Sequence, residues 1–248
     1  MAQDQSMIRV EKLTKNYGPK RAVDQLTFQV PRGEVLGFLG PNGAGKSTTM
    51  KILTGYISPS SGTATIDGMD VVEHPLEIRR RIGYLAETTP LYWDMQVDEF
   101  LKFAARLRRI PKDEQAGRLG WVAATCHLGP FWKKPIGNLS RGQKQRVGFA
   151  QAILHDPKVL ILDEPTAGLD PNQIIEVREL IKRFAQDKTI ILSTHILQEV
   201  DAMASHIVVI HKGRIVSDTP ADDLRSAHGT LEQAFRALTP EEEEVVRA

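Results

Sequence analysis

The stretch Gly40-Pro41-Asn42-Gly43-Ala44-Gly45-Lys46-Ser47 decides how this chain is read. It fits the phosphate-loop pattern G-x-x-x-x-G-K-[ST] at every fixed position. The run before it, Val35-Leu36-Gly37-Phe38-Leu39, reads as a buried strand, and the run after it, Ser47-Thr48-Thr49-Met50-Lys51-Ile52-Leu53, continues as a helix. That context matters because the chemistry of such a loop is largely backbone. Its glycines let consecutive N–H groups turn inward around a polyphosphate, and the helix N-terminus adds partial positive charge. Lys46 would reach the β- and γ-phosphates, and the Ser47 hydroxyl would ligate Mg²⁺. The bland alternative is a Gly-rich turn that happens to precede a lysine. A chance match in a chain this long has odds of about one in a hundred, so the stretch is read as a nucleotide site.

Upstream of the loop, residues 8–30 alternate in the manner of antiparallel strands, and Pro31-Arg32-Gly33 turns the chain into the strand before the loop. Tyr17 lies between the first strands; packing is the default for it, and a face for adenine stacking is the functional option. Downstream, residues 61–68 and 82–85 read as strands. From Val97 an apolar stripe (Val97, Phe100, Leu101, Ala104, Ala105, Leu107) marks a helix, with a second over 113–126. Residues 87–137 therefore read as a helical lobe inserted in an α/β core. Trp93, Trp121 and Trp132 lie near it, with apolar packing the default and a protein contact the sharper option.

Beyond the lobe the α/β pattern resumes. A helix is expected over 140–154, a strand over 158–162, a helix opening at Asp170-Pro171, and strands over 189–192 and 207–210. Near-continuous apolar strands alternating with helices imply a mainly parallel sheet covered on both faces. The fold class is α/β: a phosphate-loop NTPase core with a mainly parallel sheet, an N-terminal antiparallel β subdomain and an inserted helical subdomain. All 248 residues are read as one domain, with 220–248 a C-terminal helical tail and the acidic run 241–244 solvated.

Composition limits the function classes. The chain has 41% hydrophobic and 25% charged residues and a formal net charge of +1, so no global basic field points to nucleic acid. The clusters Arg79-Arg80-Arg81 and Arg106, Arg108, Arg109 read as solvated helix faces. A single cysteine, Cys126, excludes an internal disulfide and a cysteine metal cage and suits a reducing cytosol. The N-terminus is polar, without a signal peptide, and no apolar run approaches membrane-spanning length.

Two further motifs carry chemistry. Val159-Leu160-Ile161-Leu162-Asp163-Glu164 is a buried strand ending in two carboxylates, where the carboxyl ends of parallel strands meet a ligand. Asp163 would help hold Mg²⁺, and Glu164 would orient or deprotonate an attacking water. Leu139-Ser140-Arg141-Gly142-Gln143 contains an S-x-x-Q capping box, and such a helix start also suits an anion, with Ser140 and the Gly142 N–H directed at phosphate.

With Ala167-Gly168-Leu169-Asp170 and Ser193-Thr194-His195 following in order, residues 7–220 resemble the ATP-binding subunit of ABC transporters. The resemblance implies that Tyr17 stacks on adenine and that Gly40, Pro41, Asn42, Gly43, Ala44, Gly45, Lys46, Ser47 and Thr48 bind the phosphates. Ser140, Gly142 and Gln143 would contact the γ-phosphate held by a second subunit, a copy of this chain or a homologue, so that two ATP molecules are sandwiched in a dimer. Asp170 would connect the two sites, and His195 would hold the γ-phosphate and the water.

Two positions depart from the family pattern. Glu87 stands where a glutamine that touches Mg²⁺ is usual, and Arg141 replaces the first glycine of the signature. Both substitutions, and the closing Leu231-Glu232-Gln233-Ala234-Phe235, are similar to an exporter branch that includes gliding-motility and copper-enzyme-maturation ATPases. The implied function is ATP hydrolysis that powers a membrane exporter, at the cytoplasmic face of the membrane, beneath separate integral-membrane permease subunits. A complex that transmits force without cargo, and a soluble ATPase acting on ribosomes or DNA, are the alternatives. Soluble ribosome ATPases carry two nucleotide domains in one chain, and chromosome ATPases carry a long coiled coil; neither feature is present in this sequence.

Overall fold

The computed structural model describes residues 6–240; the acidic run 241–244 lies outside the described residues. Two long antiparallel strands open the chain, β1 (Ser6–Tyr17) and β2 (Lys20–Pro31). β3 (Val35–Leu39) follows, buried throughout, and runs through the phosphate loop into α1 (Lys46–Leu53). Next come β4 (Ser61–Ile66), β5 (Met69–Asp70), α2 (Pro75–Arg81) and β6 (Ile82–Leu85). α3 (Val97–Leu107) and α4 (Lys112–Thr125) form the helical insertion, and two 3₁₀ turns lead out of it. The core resumes with α5 (Arg141–Ile153), β7 (Val159–Asp163), α6 (Pro171–Phe184), β8 (Thr189–Thr194) and α7 (Leu197–Met203). A hairpin of β9 (His206–His211) and β10 (Arg214–Pro220) and the helices α8 (Ala221–His228) and α9 (Leu231–Leu238) complete it.

Two sheets result. One is antiparallel, in the order β2-β1-β4-β5; the other has six strands, in the order β10-β9-β3-β8-β7-β6. Every pairing in the second is parallel except β9 with β10. Every residue of β3, β7 and β8 is buried, which is why 35–39, 159–162 and 190–192 read as continuous nonpolar runs, with Asp163, Thr189, Ser193 and Thr194 the polar residues at the strand ends. β10 stands at the edge and alternates exposed with half-buried residues.

The core lies on both faces of the parallel sheet. On one, β1, β2, β4 and α1 pack over the strands, with the rings of Phe28 and Phe38 5.5 Å apart between centroids. On the other, α3 contributes Phe100 and Leu101, α4 Val122, α5 Phe149, α6 Ile181 and α7 Val200. Each such side chain contributes about 1.5–3 kcal/mol by leaving water. α7 rests directly on β3, because a Cβ on Gly37 would come within 2.5 Å of Val200 Cγ1.

The insertion is anchored by Asp98. Its side chain is 2% exposed, and its Oδ2 accepts from Lys102 at 2.7 Å and Lys133 at 2.8 Å, joining the start of α3 to the exit of the lobe. A capping box between Gln96 and Glu99 starts α3.

The structure departs from the sequence reading in places. It adds α2, β5, α7 and β10, which are short or polar enough to leave no periodic signal. Trp121 and Trp132 pack against the core as expected, whereas Trp93 is 63% exposed, with the Lys144 ammonium 4.3 Å from its ring centroid. The arginine clusters are only partly solvated: the Arg79 guanidinium donates to the Gly55 carbonyl at 2.5 Å, and half-buried Arg108 donates to the Arg79 carbonyl.

Candidate nucleotide site

β3, β8, β7 and β6 run parallel and adjacent, so the segments that leave their carboxyl ends emerge at one edge of the sheet. That edge collects the phosphate loop after β3, Asp163 and Glu164 after β7, Thr194 and His195 after β8, and Glu87 after β6.

The loop is fixed by close backbone approaches. Gly45 has φ +111°, and a Cβ there would lie 2.5 Å from the Ala22 carbonyl oxygen of β2. The Gly213 N–H at the β9–β10 turn donates to the Ala44 carbonyl at 2.9 Å, and the Gly213 carbonyl accepts from the Asp24 N–H at 2.8 Å. β2, the loop and the last hairpin are thus stitched together. Gly43, by contrast, has φ +79° and open space where a Cβ would stand, so its backbone can be approached closely. Lys46, 5% exposed, folds back onto this loop: its Nζ donates to the Gly40 carbonyl at 2.8 Å and the Pro41 carbonyl at 3.3 Å, and lies 3.5 Å from Glu164 Oε1.

Glu164 is buried and has φ +49°, a left-handed conformation that costs a non-glycine residue about 1–2 kcal/mol. The Ser193 carbonyl holds its N–H at 2.8 Å. Its carboxylate accepts from His195 Nδ1 at 2.9 Å and lies 3.2 Å from Thr194 Oγ1. His195 is 44% exposed, so a group able to meet solvent abuts one buried beside the loop lysine. These contacts hold the carboxylate in one orientation at the strand edge.

Asp163 accepts from Ser193 Oγ at 2.8 Å. Burial, together with the charges of Glu164 and Glu87, raises its proton affinity above the ordinary carboxylate value, against the opposing hydrogen bonds from Ser193 and Ser47. The negative charges of Glu164 and Glu87 act on Asp163, to which Ser47 is hydrogen-bonded, and a cation at Asp163 would offset that repulsion. Among the described residues no set of three or more His, Cys, Asp or Glu could cage a metal alone. A hydroxyl and a carboxylate, with phosphate and water completing the shell, fit Mg²⁺, which takes few protein ligands beside a polyphosphate.

The remaining predicted residues make no hydrogen bond or ion pair with Lys46, Asp163 or Glu164. Ser140 caps α5: its Oγ accepts from the Gln143 N–H at 3.2 Å, while Gln143 Oε1 accepts from the Ser140 N–H at 3.0 Å. Asp170 caps α6 by accepting from the Gln173 N–H at 3.0 Å. The two helix starts touch, because a Cβ on Gly142 would lie 2.5 Å from the Gln173 side chain. Tyr17, 48% exposed at the end of β1, has the Lys15 ammonium 5.4 Å from its ring centroid. Thr48 is half-buried in the first turn of α1. Sequence reasoning quoted Ser193 and Thr194 within a motif but gave them no task, and it missed Glu199. The only sequence signal for Ser193 and Thr194 is polarity at the end of a buried apolar strand, and Glu199, on a seven-residue helix, has none.

Comparison with known proteins agrees with this geometry. The family model described as "ABC transporter" matches residues 23–167. The chain is 40% identical over 222 residues to the bacitracin transport ATP-binding protein of Bacillus licheniformis, covering 89% of this chain and 72% of that one. It is 38% identical over 217 residues to a lantibiotic transport ATP-binding protein of Streptococcus pyogenes, covering 87% and 92%. A solved structure titled as the ATP-binding subunit of an ABC transporter superposes with a TM-score of 0.86 at 32% identity, covering 94% of this chain and 99% of that chain. A subunit of the cbiONQ ABC transporter complex of Clostridium perfringens superposes with a TM-score of 0.79 at 29% identity, covering 95% and 99%. The chain belongs to the ABC transporter family, as an ATP-binding subunit whose ATPase activity is coupled to transport.

Proposed function

We propose that this chain works as a dimer, with itself or a homologue, and drives a membrane exporter by closing around two ATP molecules and reopening after their hydrolysis. What supports this is that the predicted residues fall into two groups with no hydrogen bond or ion pair between them. Lys46, Asp163, Glu164 and His195 share one strand edge, whereas Ser140, Gly142 and Gln143 form the capped start of α5, packed against α6, and on this reading serve a nucleotide on another subunit. Gly40 to Ser47, with Thr48, cradle the phosphates, Lys46 neutralises them, and Tyr17 supports adenine. Ser47 and Asp163, with Glu87 nearby, would hold Mg²⁺, which supplies charge neutralisation on the transferred phosphoryl group. Glu164 takes the proton of the attacking water, and His195 steadies Glu164 and the γ-phosphate. Ser140, Gly142 and Gln143 complete the partner's site, and Asp170 links the two.

Among the described residues no helix is long and apolar enough to cross a membrane. Membership of the cbiONQ neighbour in a multi-subunit transporter complex supports placing the membrane path in separate permease subunits, with this chain at their cytoplasmic face, passing motion through the helical insertion and the Glu87 loop. The relatives named for bacitracin and lantibiotic transport favour a cargo of that kind.

Glu164→Gln tests the centre of this reading. It should keep ATP binding, abolish turnover and accumulate an ATP-dependent dimer on size exclusion with light scattering. Turnover at the wild-type rate would remove Glu164 as the base. Tagged purification from detergent-solubilised membranes should recover a multi-spanning partner in stoichiometric amount; recovery only with ribosomes or DNA would overturn the transporter role.

A further inference from the structure

Glu199, on α7, is a fully buried carboxylate that the reaction outlined above leaves unused. Its Oε2 lies 3.1 Å from Thr194 Oγ1, and the same hydroxyl lies 3.2 Å from Glu164 Oε2. The Ile196 N–H also donates to that hydroxyl, at 3.1 Å. A threonine hydroxyl has one proton and two lone pairs. With one lone pair taken by Ile196, it donates to one carboxylate and must receive a proton from the other. Two ionised carboxylates would leave an unbridged oxygen–oxygen contact in the interior, a costly arrangement. The proton count closes only if one of the acids is protonated.

Geometry decides which one. Glu164 has His195 Nδ1 at 2.9 Å and the Lys46 ammonium at 3.5 Å as partners for its carboxylate oxygens. Glu199 Oε1, by contrast, is buried without a partner. Burial pushes the Glu199 carboxyl up to about 7, against the Thr194 hydrogen bond and the charge of Arg178. The other groups around it agree. α6 contributes Arg178, the β7 loop Glu164 and the end of β8 His195; β3 is apolar; on α9, exposed Glu232 and Arg236 pair with each other at 2.8 Å.

We infer that Glu199 is a positioning residue for Glu164: as the neutral acid it donates to Thr194 Oγ1, which commits the Thr194 proton to Glu164 and fixes that carboxylate beside His195 and Lys46. When Glu199 loses its proton it takes the Thr194 hydroxyl for itself. Glu164 then loses one of its three anchors and its orientation toward water. Turnover accordingly falls as pH rises through the Glu199 titration, without a matching loss of ATP affinity.

The inference rests on Glu164 acting on the attacking water, so Glu164→Gln is measured in parallel. The experiment is steady-state ATPase of the full chain with Mg-ATP, from about pH 6 to about pH 9, on wild type, Glu199→Gln and Thr194→Val. Wild-type kcat should decline several-fold with an inflection near 7. The glutamine amide donates to Thr194 at every pH, so Glu199→Gln should lose that inflection. Thr194→Val cuts the link and should lower kcat about tenfold or more at all pH values, with KM for ATP little changed. Thermal melting shows whether each variant is folded; Glu199→Gln is nearly isosteric and keeps the test open if Thr194→Val is not. A Glu199→Gln profile that superposes on wild type overturns the inference. If Glu164→Gln is inactive while that superposition holds, only the positioning role fails; if Glu164→Gln turns over normally, the base assignment fails with it.

Discussion

Gly43 and Gly45 lie two residues apart in the phosphate loop, and substituting each by alanine separates two physical costs. Both have positive φ, +79° and +111°, so either alanine pays backbone strain. For Gly43→Ala that strain is the whole cost, about 1–2 kcal/mol, since nothing lies within 4 Å of the new methyl. For Gly45→Ala the methyl also meets the Ala22 carbonyl oxygen at 2.5 Å, well inside van der Waals contact. Either the loop lifts off β2 or the strand bends, which adds about 1–3 kcal/mol. The total for Gly45→Ala is about 2–5 kcal/mol. For a chain of this size each kcal/mol lowers Tm by about 2–4 °C, so Gly45→Ala should melt several degrees below Gly43→Ala. Urea unfolding without nucleotide, compared at equal m, gives the difference directly. Lifting the loop also turns its N–H groups away from a phosphate, so Gly45→Ala should bind a fluorescent ATP analogue more weakly than Gly43→Ala. Equal destabilisation by the two variants would refute the reasoning, because the Ala22 carbonyl would then not be what fixes the loop.

Lys46→Ala removes the only ammonium within 4 Å of Glu164 among the described residues, and it should weaken ATP binding by about 3 kcal/mol, roughly a hundredfold; unchanged nucleotide titrations would exclude Lys46 from the phosphate site. Asp98 gives a pH dependence: burial raises the pKa of its carboxyl, but the hydrogen bonds from Lys102 and Lys133 outweigh burial and hold it below the ordinary carboxylate value. A depressed carboxylate stabilises the fold above its unfolded pKa and loses that contribution as pH falls through the folded one, so wild type should lose stability below about pH 4 more steeply than Asp98→Asn; parallel acid titrations of the two would contradict this. Cys126 is 1% exposed and burial pushes its thiol up to about 12, so a thiol reagent at mildly alkaline pH should label it only as the chain unfolds, and rapid labelling of the native protein would show that the α4 end opens.

Much of the site was legible because it is local. A phosphate loop needs a strand before it and a helix after it, and both can be read from a short run of consecutive residues. The Ser140–Gln143 box is equally local, and its two reciprocal hydrogen bonds are present at 3.0 and 3.2 Å. What was not legible depends on distant packing. α7 has seven residues, three of them polar or charged, and is a helix on the core only because Gly37 of β3 leaves room for Val200. Glu199 is buried for the same reason, and no periodicity in a segment that short shows it. β10 does not read as a strand because none of its residues is fully buried, its positions alternating only between exposed and half-buried.

Arg141 shows how a departure visible in sequence acquires meaning only in three dimensions. At the first position of α5 a cation faces the positive end of the helix, which disfavours it by a few tenths of a kcal/mol up to about 1. No carboxylate lies within ion-pairing distance of it among the described residues. Instead its guanidinium occupies the space over Gly168, where a Cβ would overlap it, and Gly168 itself needs φ +67°. The arginine can replace a small residue here because the facing position has no side chain. Its planar group fills the gap between the start of α5 and the Ala167-Gly168-Leu169-Asp170 turn, at the seam where a second subunit's phosphates are proposed to arrive. An exposed arginine at such a seam retains five donors for an anion. A substitution that looks like damage to a signature when read along the chain therefore leaves the helix cap intact and adds a positive charge beside it.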